Sequence, residues 1–108
     1  MSHKNHKKVV LFASGSGSNV QKICEYFQNH STIKVVRLYC NNPKALVLEK
    51  AKAFEIDYTL FTKKELLDSD VLLKELVNVD PDLIVLAGFL LKIPKKITKK
   101  FYNKIINI

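Results

Sequence analysis

Apolar residues in this chain come in short runs broken by polar turns, and their spacing changes from run to run. Lys8-Val9-Val10-Leu11-Phe12-Ala13 is nearly continuous, the pattern of a strand buried on both faces. It stops at Ser14-Gly15-Ser16-Gly17-Ser18-Asn19. Val20, Ile23, Cys24 and Phe27 then recur at spacings of three and four, which predicts a helix running to about His30. A second strand is predicted over Ile33 to Tyr39, stopped by Asn41-Asn42-Pro43, with a helix carrying Ala45, Leu46, Leu48, Ala51 and Ala53 after it. A short third strand over Asp57 to Leu60 leads to Thr62 and Glu65, which have capping-box spacing. One helical stretch with Leu66, Leu67, Val71, Leu72, Leu76 and Val77 runs from there to Asp80-Pro81. Asp82 to Gly88 is the strongest strand, and this reading puts it at the centre of the sheet. A short helix over Pro94 to Tyr102 and a fifth strand from Lys104 to Ile108 complete the pattern.

Strands alternating with helices imply right-handed crossovers and an α/β, doubly wound, mostly parallel sheet of about five strands. Ligands of such sheets bind beyond the carboxyl ends of the strands, where the strand order switches. That rule selects Ser14 to Asn19, Gly88 to Ile93, and Asn107.

Composition narrows the class. The 108 residues, 47% hydrophobic and 26% charged, suffice for one core. Residues 1–7 read as a flexible polar tail and 8–108 as one nucleotide- or phosphate-binding unit. Two cysteines, Cys24 and Cys40, lie outside any CxxC or Cys/His cluster and read as buried, reduced thiols, and no metal site is expected. No apolar run approaches the roughly 20 residues a membrane span requires. The opening has no signal-peptide pattern, so a cytoplasmic location is expected.

The net charge of +8 raises the question of a nucleic-acid partner. Arg37 is the lone arginine among 18 cations, whereas base and bidentate phosphate recognition lean on the arginine fork. The lysines read mainly as a solvated surface, and no nucleic-acid or membrane partner is expected.

The Ser14 to Asn19 turn sets small residues where backbone amides can converge on an anion at a helix N-terminus. Val20 fills the third-glycine position of a dinucleotide fingerprint and no Gly-Lys-Ser/Thr follows, so a monophosphate or ribose phosphate suits the turn better than NAD or ATP. The same turn could simply cap a helix through Ser18 or Asn19. Lys63 and Lys64, at the start of a helix, either reach an anion or are solvated. Asn107, between Ile106 and Ile108, could donate to an oxyanion or bond to a nearby loop.

The glycine turn, then Pro81-Asp82-Leu83-Ile84-Val85-Leu86-Ala87-Gly88-Phe89, then Asn103-Lys104-Ile105-Ile106-Asn107-Ile108, together resemble the phosphoribosylglycinamide formyltransferases over nearly all of the chain after Lys8. The resemblance implies the Rossmann-like formyltransferase fold. It also implies transfer of a formyl group from 10-formyltetrahydrofolate to the amine of phosphoribosylglycinamide in purine synthesis, with no metal. It assigns the substrate phosphate to Gly17, Ser18 and Asn19, and the folate to Lys64, Leu90, Leu91, Lys92, Ile93 and Asn107, with Asn107 catalytic. Lysine stands at position 64 where the family commonly has arginine, and Leu90 to Ile93 departs from the frequent Met-Arg-Ile-Leu. The family's catalytic His and Asp lie downstream of the position of Ile108. The 108 residues are therefore expected to be the N-terminal half, catalytically incomplete, with small-molecule substrates as partners and self-association through an exposed sheet edge. A formyltetrahydrofolate deformylase and a non-enzymatic basic phosphate- or nucleic-acid-binding domain are the competing readings.

Overall fold

In the computed structural model, which describes residues 6–108, strand β1 (Lys7–Ala13) alternates its side chains between two separate apolar layers. Val9, Leu11 and Ala13 point into one, Val10 and Phe12 into the other. This is why its sequence is apolar without interruption. Of the polar opening expected over 1–7, residues 1–5 lie outside the described residues, and Lys7 opens β1.

Helix α1 (Ser18–Phe27) buries Val20 and Cys24. It stops short of the expected His30 because that imidazole turns the chain: its Nδ1 accepts from the amides of Thr32 and Ile33, both at 3.1 Å, and β2 (Ile33–Cys40) begins there. Helix α2 (Val47–Ala53) starts later than the apolar spacing suggests, since Asn42 holds a turn by accepting from the amides of Lys44 and Ala45. Strand β3 (Tyr58–Leu60) leads to α3 (Lys63–Asp68), whose start carries the complete Thr62–Glu65 capping box. The single helix expected from Leu66 to Val77 is two. Ser69 is extended, its Oγ accepts from the amide of Val71, and Lys96 Nζ donates to the carbonyl of Ser69, so α4 (Val71–Val79) restarts as a separate helix. Strand β4 (Leu83–Leu86), helix α5 (Lys95–Lys100) and strand β5 (Ile105–Asn107) follow.

All strand pairings are parallel and the order is β3-β2-β1-β4-β5. The central strand is thus β1, correcting the expectation that β4 holds the centre. The apolar run of β4 reflects burial beside β1, with β5 covering its far side. Helices α1 and α2 pack on one face and α3, α4 and α5 on the other, so the sheet is doubly wound. On the second face Phe12 stacks on Tyr39 at 4.8 Å and meets Phe89 edge-on at 5.2 Å. Burying a side chain of this size contributes about 1.5–3 kcal/mol.

Candidate active site

The chain runs from β1 outward through β2 to β3, then crosses back to β4, so the strand order switches between β1 and β4. The turn after β1 sits at that switch. Gly17 caps α1 with φ of 79°, a conformation that L side chains rarely adopt, and a Cβ there would lie 2.5 Å from Val47 Cγ2. Only glycine fits on both counts. The carbonyl of Gly15 accepts from the amide of Val47, which bolts the turn to α2. The first amide to bond within α1 is that of Gln21, to the Gly17 carbonyl at 2.8 Å, so those of Ser18, Asn19 and Val20 have no partner inside the helix. No acidic residue occupies the first turn and no side chain caps it. The alternative in which Ser18 or Asn19 caps the helix does not occur: both lie inside it.

These residues line a hollow of about 180 Å³ formed by Gly15, Ser16, Gly17, Ser18, Asn19, Ala87 and Gly88. A larger hollow of about 320 Å³ lies between the end of α1, the start of β2 and the α2–β3 connection. Two of its titratable groups are poorly suited to chemistry. Burial pushes the Cys24 thiol up to about 11, and His30 Nδ1 is already engaged by two amides. The smaller hollow sits at the switch point and holds the free donors, which decides between them.

Residues 87–94, after β4, form no regular element. Ile93 is buried and anchors the segment, Leu91 is half-buried, Lys92 is exposed, and Leu90 is 82% exposed. The amide of Leu90 donates to Ser14 Oγ at 3.0 Å. Phe61, which precedes α3, lies 6.0 Å from Phe89, so the start of α3 borders this segment. Lys63 and Lys64 are exposed on that first turn, and neither is in an ion pair among the described residues. Asn107 ends β5 opposite Leu86, itself opposite Phe12, and so shares a face with the layer that carries α3–α5. It is exposed, with no side-chain hydrogen bond to the described residues.

The sequence-selected positions therefore gather at one end of the sheet: the turn and Gly88 share a hollow, Leu90 is tied to Ser14, and Asn107 ends the adjoining strand. Sequence reasoning missed Ser14 as a side chain and Asn41, to whose Oδ1 it donates at 2.6 Å. The signal was available, since Asn41 directly follows the strand beside β1 and falls under the same carboxyl-end rule. Among the described residues no three His, Cys, Asp or Glu side chains cluster to hold a metal ion, and no helix is long and apolar enough to cross a membrane.

Residues 7–108 match the formyl transferase family. The chain is 32% identical over 107 residues to the phosphoribosylglycinamide formyltransferase of Bacillus subtilis (strain 168), covering 94% of this chain and 55% of that protein. Its fold is similar to glycinamide ribonucleotide transformylase 1 from Geobacillus kaustophilus, with a TM-score of 0.84 at 30% identity over 94% of this chain and 57% of that one. A formyltetrahydrofolate deformylase from Pseudomonas putida shares the fold, with a TM-score of 0.80 at 17% identity, covering 99% of this chain and 39% of that one. The chain spans about half the length of the curated relatives it matches.

Proposed function

Because this chain belongs to the formyl transferase family, we propose that it forms the part of a cytoplasmic phosphoribosylglycinamide formyltransferase that receives the ribonucleotide and seats the folate. The observation that carries this reading is the turn at the switch point, where Ser18 and Asn19, whose amides have no partner inside the helix, line one small hollow with two glycines of the turn. The amides of Ser18, Asn19 and Val20 bind the substrate phosphate, helped by the positive end of α1. Gly17 lets the backbone approach the anion without a side chain in the way.

10-Formyltetrahydrofolate, when bound, supplies an acyl carbon that leaves the folate nitrogen as it bonds to the substrate amine, with one proton passing from that amine to the folate nitrogen. The segment Leu90 to Ile93 fits such a flat, partly apolar ring: Leu90 stands exposed with no apolar neighbour to cover it, and irregular backbone leaves amides and carbonyls free for the ring's edge. Lys64 supplies a positive charge on the folate side. Asn107 donates an amide N–H to the acyl oxygen as negative charge grows there, a contribution of about 3–4 kcal/mol in comparable sites. It has no proton to exchange near neutral pH. The proton transfer therefore calls on a group other than Asn107.

Two assays test the reading. Titrating glycinamide ribonucleotide into the 108-residue chain is expected to show weak, saturable binding that is lost when Asn19→Ala and Gly17→Val are combined, and no formyl transfer above background. Near-normal turnover from the 108 residues overturns the division of labour. Failure to bind any ribonucleotide, with folate still bound, favours a deformylase, which uses water in place of the amine. Edge strand β5 leaves Ile106 and Ile108 about half exposed, at 47% and 56%, so concentration-dependent association is expected in sedimentation.

A further inference from the structure

Ser14 is buried, 4% exposed, and its side chain is polar. A hydroxyl at such a position costs more than a methyl group unless it is bonded, and this one is bonded twice. It accepts from the amide of Leu90 at 3.0 Å and donates to Asn41 Oδ1 at 2.6 Å, a chain of hydrogen bonds across the carboxyl ends of β4, β1 and β2. Its own amide donates to the carbonyl of Gly88 at 3.1 Å. Neither side-chain bond stays within the turn, so local capping does not explain the serine. The bond to Leu90 is also the one hydrogen bond that ties residues 89–93 to the rest of the chain among the described residues.

We propose that Ser14 is a positioning residue through which the phosphate turn sets the shape of the Leu90 to Ile93 segment, so that filling the turn prepares the folate side. This rests on the functional reading above and adds a coupling between its two halves. Ser14 stands at the base of the turn, next in sequence to Gly15, whose carbonyl is fixed by Val47. An anion drawing the amides of Ser18 to Val20 together shifts that base, and the hydroxyl passes the shift to the amide of Leu90. The relay needs a group that donates and accepts at once, which serine and threonine provide and alanine does not.

The test follows backbone amide resonances of the 108-residue chain as inorganic phosphate is added. In the unaltered chain the amides of Ser18, Asn19 and Val20 are expected to shift, and that of Leu90 with the same midpoint. Ser14→Ala is expected to bind phosphate within about threefold of the unaltered chain while the Leu90 shift disappears. Ser14→Thr is expected to keep both. Asn41→Ala, which leaves the serine in place but removes its acceptor, is expected to reduce the Leu90 shift, and it carries the test if Ser14→Ala does not fold. A Leu90 shift that persists unchanged in Ser14→Ala, or in Asn41→Ala, is a direct effect of the nearby anion and overturns the proposal. So does a Leu90 amide that stays still in the unaltered chain while the turn binds. If the turn amides never move, the phosphate reading itself falls and takes the proposal with it.

Discussion

At the amino end of the sheet the backbone closes on itself. Asp82 Oδ2 accepts from the amide of Lys8 at 2.7 Å, the amide of Asp82 donates to the Lys8 carbonyl at 2.8 Å, and Lys8 Nζ donates to the carbonyl of Val79 at 3.1 Å. His30 answers two amides at once where α1 gives way to β2. At the carboxyl end the same sheet leaves three amides of α1 open, exposes Leu90, and keeps glycine at positions 15, 17 and 88. The amino end satisfies these polar groups with its own side chains, whereas the first amides of α1 at the other end have no partner inside the helix.

The largest effect expected from breaking that contrast is Gly17→Val. The clash with Val47 and the positive φ together should cost about 3 kcal/mol of stability, read as a lower urea midpoint. Gly15→Ala, two residues away, meets nothing within 4 Å and should change the midpoint by less than about 0.5 kcal/mol. Equal effects at the two glycines would remove the claim that the turn is built around position 17.

Alkali probes the core that both ends share. Burial raises the Cys24 thiol from the ordinary 9.0 to about 11. Cys40 is raised by burial, with a bond from Asn42 opposing, and Tyr39 by burial and then by the Glu75 carboxylate. For Cys24 the folded state holds its proton where the unfolded chain releases it, so the stability it contributes is intact below pH 9 and is lost as pH rises from 9 to 11. Cys40 and Tyr39 act in the same direction. Urea midpoints measured at pH 8 and pH 10.5 should fall, and a flat profile would contradict the burial of these groups.

Next in size, Asp82→Ala should cost about 1 kcal/mol and leave phosphate binding unchanged, since it unpins only the amino end. A loss of binding in that variant would show the two ends to be coupled. A small effect of the opposite sign is expected at Glu55, which follows α2 with φ of 58°. Glu55→Gly should stabilise by about 0.5 kcal/mol without touching the turn after β1, because glycine adopts that φ without strain.

Much of this was legible in the sequence for physical reasons that can be named. The Thr62–Glu65 box is local, and all its partners lie within one turn. The switch-point turn is equally local, since small residues after an apolar run leave few alternatives. Strand order was not legible, because Val9 to Ala13 and Leu83 to Leu86 are both apolar and only the crossovers decide which lies in the middle. The break at Ser69 depends on Lys96, 27 residues away, and the partners of Ser14 lie 27 and 76 residues away. Spacing along the chain carries no trace of such contacts.

The central position of β1 has a consequence for synthesis. Lys8 and Asp82, which join it to β4, are 74 residues apart, so on a ribosome adding about 5–20 residues per second the strand waits roughly 4–15 s for its second neighbour. Until then Val10 and Phe12 lack the cover that Ile84 and α5 later provide. For that interval the nascent chain offers an aromatic surface to any holdase that binds one, and the strand made first is enclosed only after β2 has gained both its neighbours.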